Sequence, residues 1–195
     1  MPETVVVAKN DSRRAQAEIV RAARAGAVFV YPTDTVYGIG CDARKPASVE
    51  RIRKIKKRNA EKPFSVIAPS KAWIARNCFV PQRALDSLAL LPGPYTLVFE
   101  LKRKRCVARE TNAGLATLGV RIPKHWIAEV ARKAGAPIVT TSVNESGAPP
   151  ARTLAEIKKV LKNEAVDLIV FEGALRGEPS RVIDFSNKNW SITRK

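Results

Sequence analysis

Short apolar runs alternate with amphipathic stretches along most of the 195 residues. The runs are rich in β-branched and aromatic residues, and they predict strands over residues 4–8, 27–31, 64–68, 95–101, 115–122, 137–142, 167–171, 181–185 and 191–194. Helical patterns fill the gaps. Ser12 is placed to cap a helix running to about Ala25, with Ile19, Val20, Ala22 and Ala23 as its apolar face and Gly26 just beyond its end. Pro46 opens a second helix, from Ala47 to about Lys57, whose Val49, Ile52 and Ile55 share one side. Residues 70–77, 81–91 and 124–134 read as further helices, the second broken by LPGP at 91–94. Thr153 and Glu156 form a capping box for a last helix with Leu154, Ile157, Val160 and Leu161 on its core face. Strands separated by helices predict an α/β sheet, and the closely spaced late strands make it mixed. No repeat or long linker interrupts the pattern, so residues 1–195 are expected to form a single domain.

Composition changes the picture at one point. Hydrophobic content of 45% is that of a globular protein, but 35 Lys and Arg stand against 18 Asp and Glu, a net charge of +17. Such a field draws polyanions. No apolar run approaches the ~20 residues of a spanning helix, so no membrane partner is expected. Cys41, Cys78 and Cys106 form no CxxC, and with one histidine a Cys/His metal site is not expected. An odd cysteine count without a signal peptide fits a cytoplasmic location.

Four segments carry candidate chemistry. YPTDTVYGIG (31–40) follows a buried run; Pro32 ends the strand, and the hydroxyls of Thr33 and Thr35 beside Asp34 make a polar loop where open α/β sheets bind small molecules. Gly38 and Gly40 permit close backbone approach. Six of the eight residues 51–58 are basic. Arg51, Arg53 and Lys54 are expected on a solvated face, whereas Lys56 and Arg58 sit where the helix stops and can reach a phosphate. TTSVNESGAPP (140–150) offers neutral donors and acceptors, although Ser, Asn and Gly are turn residues anyway. Arg121 lies inside an apolar strand, where it is either a carboxylate clamp or a solvent-facing charge. His125 is read as a surface residue at a helix start, and KRKR (102–105) as a basic loop. Walker A, GxSxG, HExxH and kinase signatures are missing. Many cations and hydroxyls with few lone carboxylates suit a reaction in which anionic oxygen meets phosphate.

Taken in order, YPTDTVYGIG, KKR (56–58) with KPFSV (62–66), LPGPYTLVF (91–99), LGVRIP (118–123) and TSVNESGAPP (141–150) resemble the YrdC-like threonylcarbamoyl-adenylate synthases. The resemblance covers nearly the whole chain and implies a twisted, open mixed sheet with flanking helices and a concave basic face. It implies that ATP, L-threonine and bicarbonate give threonylcarbamoyl-AMP and pyrophosphate, with Mg2+ accompanying ATP and no protein metal site. The product is then handed to a tRNA threonylcarbamoyl-transferase. Carried over by motif, Lys56 and Arg58 would bind the triphosphate, and Ser142 and Asn144 would hold the α-phosphate and carbamate; these four are the expected catalytic set. Lys62, Thr117, Thr140 and Arg194 would contact the nucleotide, and Thr35, Arg121 and Ser142 the threonine. The chain departs from many relatives at Ile67, where some carry histidine, and at Pro150, where many carry serine. The alternative reading is an RNA-binding translation or ribosome-maturation factor without catalysis, motivated by the +17 charge, residues 51–58 and the KRKR loop. Direct contact with tRNA or double-stranded RNA is compatible with either reading.

Overall fold

In a computed structural model, which describes residues 3–6, 12–162, 166–187 and 191–194, the chain forms a mixed α/β sheet with helices on both faces. The elements are β1 (Glu3–Val6), α1 (Arg13–Ala25), β2 (Phe29–Tyr31), β3 (Gly38–Gly40), α2 (Pro46–Ile55), β4 (Ser65–Ile67), α3 (Lys71–Asn77), β5 (Cys78–Phe79), β6 (Tyr95–Leu101), β7 (Thr117–Arg121), α4 (Ile127–Ala134), β8 (Ile138–Ser142), α5 (Leu154–Leu161), β9 (Leu168–Phe171), β10 (Arg181–Asp184) and β11 (Ser191–Arg194). The strand order is β1-β9-β2-β3-β8-β4-β7-β6-β10-β11, with β5 added antiparallel to β6. Parallel pairs (β1/β9, β9/β2, β4/β7, β6/β10) are mixed with antiparallel ones (β2/β3, β3/β8, β8/β4, β7/β6, β10/β11).

The two-residue period of the strands divides the core. Phe29, Tyr31, Ile67, Ile138, Leu168 and Val170 face α1 and α4 and pack on Ala15, Ile19, Ile127 and Val130. Their neighbours Val28, Val30, Val66, Val139 and Ile169 face the other way, onto Val49 and Ile52 of α2 and Ile157 of α5. Both faces are buried, which is why the strands read as unbroken apolar runs.

Helix ends follow local chemistry, with exceptions. Gly26 takes the left-handed conformation (φ +81°) and its N–H closes α1, Pro46 opens α2, and Thr153 and Glu156 make the reciprocal cap of α5. Ser12, by contrast, makes no side-chain cap; its Oγ accepts from Gln16 Nε2. The helix expected over 81–91 is two 3-10 turns, Gln82–Ala84 and Asp86–Leu90. Only Ala84 is buried there, so no apolar face holds an α-helix in place. The loop expected through residue 40 contains β3, a strand that two glycines concealed. Gly40 has a packing reason: a Cβ there would lie 2.1 Å from the Val139 carbonyl oxygen. Among the described residues no helix is long and apolar enough to cross a membrane.

Candidate active site

On the α1/α4 face, the inward strand positions change character beyond the helices. Ile138 is followed on its side of β8 by Thr140 and Ser142, and Ile67 on its side of β4 is preceded by Ser65. Gly119 of β7 leaves room between Ser65 and Thr96. These small polar groups floor a cavity of about 340 Å³. Among the described residues, Lys56, Arg58 and Arg121 are its cations, and no carboxylate lines it.

One wall is the loop after β2. The Thr33 hydroxyl donates to the Val36 carbonyl (2.7 Å) and accepts from the Thr35 N–H (3.1 Å), a hydroxyl-closed turn that leaves both threonines 4% exposed. Asp34 Oδ1 accepts from Arg121 Nη2 at 2.7 Å, and its Oδ2 accepts from the Lys124 N–H at 2.8 Å. Arg121, 5% exposed at the end of β7, also reaches the Thr35 hydroxyl at 3.4 Å. Of the two roles the sequence left open for Arg121, solvent exposure is excluded. Tyr31 and Tyr37 are structural: their hydroxyls donate to the carbonyls of Val139 (3.1 Å) and Gly173 (2.6 Å).

A second wall begins where α2 stops. Lys56 keeps helical backbone and lies on the buried face of α2, and Lys57 then reverses the chain at φ +47°, an uncommon conformation for a residue with a side chain. Lys56 is 2% exposed, and its ammonium donates to the carbonyls of Ser142 (2.5 Å) and Asn144 (2.8 Å) and to Asn144 Oδ1 (2.7 Å). All three of its N–H donors are thereby spent on the 142–148 loop. The Ser142 hydroxyl donates to the same Oδ1 (2.8 Å), Asn144 Nδ2 donates to the Ala148 carbonyl, and the Ser146 N–H returns to the Lys56 carbonyl (3.1 Å). Burial, and then the nearby Arg58, push the Lys56 ammonium down to about 7. Burial, and then Arg53, also lower Arg58, whose guanidinium stays charged regardless. Arg58 is held at the rim by the carbonyls of Lys62 (3.2 Å) and Pro63 (2.8 Å) and by the face of Phe64, 5.1 Å away.

The third wall is the segment 173–180. Ser180 Oγ meets Thr96 Oγ1 at 2.9 Å, and Gly177 presses against the loop after β2, where a Cβ would lie 2.1 Å from the Thr35 carbonyl oxygen.

Thus Thr35, Lys56, Arg58, Arg121, Thr140, Ser142 and Asn144 gather in one cavity from four separate stretches of chain. Lys62 and Thr117 do not line it. The Lys62 side chain is exposed, and Thr117 is half-buried at the far end of β7, in register with Glu100. Arg194 contributes its backbone to β11, opposite Val182; its side chain lies outside the described residues. Ile67 is fully buried in the α1/α4 core.

Two further expectations need correction. Arg53 is not solvated: it is 6% exposed and donates to the carbonyls of Asn59, Lys62 and Glu110 at 2.7–3.1 Å. Its signal was available, since 49, 52, 53 and 56 share one helical face. His125 stands just before α4, as expected, but is only partly exposed; its Nε2 lies 3.1 Å from Glu172 Oε1, whose partner oxygen accepts from Trp126 Nε1 at 2.7 Å. Residues the sequence reading passed over are Ser65, Thr96 and Ser180. Ser65 and Thr96 sit inside quoted motifs, as polar breaks in apolar strands.

Comparison with known proteins gives the same picture. The Sua5/YciO/YrdC family profile, described as "Telomere recombination", matches residues 21–195. A threonylcarbamoyl-AMP synthase of Xanthomonas euvesicatoria is 35% identical over 166 residues, 82% of this chain and 87% of its own length. The crystal structure of E. coli YciO superposes with a TM-score of 0.88 at 28% identity, covering 100% of this chain and 96% of YciO. P. abyssi Sua5 complexed with L-threonine superposes with a TM-score of 0.86 at 27% identity over 100% of this chain, which spans 57% of the Sua5 chain.

Proposed function

The chain belongs to the Sua5/YciO/YrdC family, and from that premise we propose that it is an L-threonylcarbamoyladenylate synthase, a nucleotidyltransferase acting on ATP, L-threonine and bicarbonate. The observation that carries this reading is the cavity itself: among the described residues, Lys56, Arg58 and Arg121 line it with hydroxyls and without one carboxylate. Burial first, and then the neighbouring guanidinium of Arg58 or Arg53, lowers Lys56 and Arg58, and a triphosphate bound beside them would favour their charged forms.

In this reading the two walls divide the work. Arg121, aimed by Asp34, clamps the threonine carboxylate with its planar fork, and the Thr35 hydroxyl beside it fixes the amino acid's orientation. Bicarbonate gives CO2 and hydroxide; the threonine amine bonds to the carbon of CO2 and its proton passes to the hydroxide, leaving a carbamate and water. A carbamate oxygen then bonds to the α-phosphorus while the bridging P–O bond to the β-phosphate breaks, and pyrophosphate leaves with the electron pair. The nucleophile is already anionic, so the protein's task is to position it and to neutralise charge. Arg58 at the rim meets the departing pyrophosphate. Lys56 contributes its charge from behind the 142–148 loop, and holds Ser142 and Asn144 where the α-phosphate would lie. Among the described residues no group of three or more His, Cys, Asp or Glu could hold a metal ion, so the Mg2+ that accompanies ATP would be held mainly by phosphate oxygens.

ATP–pyrophosphate exchange tests the proposal. Exchange should require both L-threonine and bicarbonate and should fail with other amino acids. Absence of threonine-dependent exchange with magnesium and bicarbonate present would refute it. The product would pass to a tRNA threonylcarbamoyl-transferase, which a coupled assay with that enzyme and tRNA would register.

A further inference from the structure

Three segments shape the amino-acid side of the cavity: the loop after β2 with Thr33 and Thr35, the stretch that begins at Arg121, and residues 173–180 with Ser180. Glu172, outside the cavity lining, joins all three. It directly follows β9 and takes no part in the adenylation described above. Its N–H donates to the Tyr37 hydroxyl at 3.0 Å, at the end of the first segment. Its Oε1 lies 3.1 Å from His125 Nε2, and its Oε2 accepts from Trp126 Nε1 at 2.7 Å, both on the second. Gly173, the next residue, opens the third segment at φ +101°, and its carbonyl accepts from the same Tyr37 hydroxyl at 2.6 Å.

The chemistry of this junction calls for a carboxylate. His125 Nδ1 accepts from the Ile127 N–H at 3.4 Å, which places a proton on Nε2, pointing at Glu172. The indole offers only a donor. Two N–H donors thus converge on two oxygens, and an amide would turn its own NH2 toward one of them. The Glu172 and His125 side chains are each 13% exposed. A carboxylate drawn this far out of water is costly unless it is fully partnered, and apolar packing would serve the fold as well. Residues 173–180 contain neither helix nor strand, so their course depends on where they are tied. Midway, the Leu175 N–H donates to the Arg152 carbonyl at 3.1 Å. At the far end Ser180 meets Thr96, and the Arg181 N–H donates to the Pro94 carbonyl at 3.0 Å. Glu172 and Gly173 tie the near end.

On the synthase reading, which makes this slot the threonine's, we propose that Glu172 is a positioning residue for the amino-acid substrate. It clamps the 173–180 wall to Tyr37 and to the corner made by His125 and Trp126, and so holds the slot in the shape that binds. Between the ties Gly177 lies against the Thr35 carbonyl, and Pro179 and Ser180 line the cavity, so a slack near end is felt at the substrate. Loosening the clamp leaves the slot formed in only a fraction of molecules and weakens the apparent affinity by that fraction. Saturating threonine draws the wall back, so turnover survives.

Steady-state exchange kinetics of Glu172→Gln test the proposal on the full chain. The KM for threonine should rise about tenfold, the effect of a slot formed in about a tenth of the molecules, with kcat and the KM for ATP near parental. His125→Ala should behave alike. His125→Gln, whose amide nitrogen can stand where Nε2 stood, should recover most of the affinity. Glu178→Gln, on the same wall but with its side chain 82% exposed, should match the parent. Calorimetry with L-threonine should rank the variants in the same order without catalysis. A parental KM for threonine in both Glu172→Gln and His125→Ala would overturn the proposal and leave the synthase reading intact. So would a loss in kcat or in the KM for ATP as large as that for threonine, the pattern of general loosening. Should Glu172→Gln fail to fold, equal threonine KM values in His125→Ala and His125→Gln would overturn it. A parent without threonine-dependent exchange would remove the synthase reading, and the clamp's purpose with it.

Discussion

The Lys56 ammonium lies 2.7 Å from the side-chain oxygen of Asn144, a residue 88 positions away, and the Ser142 hydroxyl shares that oxygen. A lysine expected to reach toward phosphates instead uses its three donors to shape the loop that would receive them.

Lys56→Met should therefore abolish exchange and also cost stability. Each buried carbonyl left without a donor costs about 1–3 kcal/mol. Urea denaturation should show the loss, and full exchange activity in this variant would contradict the role assigned to the ammonium.

The same group sets a pH dependence. Burial brings Lys56 down to about 7 in the empty cavity, and the 142–148 loop needs the protonated form. As pH rises through 7, the free protein loses that proton, so kcat/KM for ATP should fall with a single ionisation. Bound triphosphate favours the ammonium, so kcat should decline only at higher pH. A kcat/KM profile that stays flat above pH 7 would argue against this coupling.

Arg121→Lys should raise the KM for threonine by about ten- to hundredfold, the worth of a hydrogen bond to a charged group. Lysine keeps the charge but lacks the fork that Asp34 and Thr35 now orient. Steady-state kinetics with threonine varied at saturating ATP will measure it; an equal rise in the KM for ATP would place Arg121 on the nucleotide instead.

Gly177→Ala should separate two walls of the cavity. Its Cβ would lie 2.1 Å from the Thr35 carbonyl oxygen, so the 173–180 segment must move off the threonine slot. The overpacking should cost about 1–3 kcal/mol of stability. The KM for threonine should rise more than that for ATP, and unchanged threonine kinetics would show that this contact does not shape the slot.

Much of the fold was legible because it rests on local periods. The β6 boundaries, Tyr95–Leu101, follow a run of apolar residues ended by charge, and α5 begins at a capping pair three residues apart. Where local signals were weak, the reading failed: β3 is three residues with two glycines, and 82–90 has an apolar pattern of which only Ala84 is buried. The site was legible as motifs. Thr35, Arg121, Ser142 and Asn144 stand out as polar groups at the ends of apolar strands. Arg53 shows the opposite case, a cation whose position on the apolar face of α2 was readable while its acceptors, carbonyls at 59, 62 and 110, were not.

The order of strands and helices, the class of the sheet and the stock of cations and hydroxyls follow from the chain alone, because periodicity and charge are properties of neighbours in sequence. Which oxygens receive the cations that turn inward was decided only by the folded structure. Lys56 continues the buried face of α2, the chain turns away at Lys57 (φ +47°), and three oxygens from β8 and the loop after it receive the ammonium. A charge leaves water only where partners already stand to receive it, and here those partners are distant in sequence and are brought to Lys56 by the pairing of β3, β8 and β4.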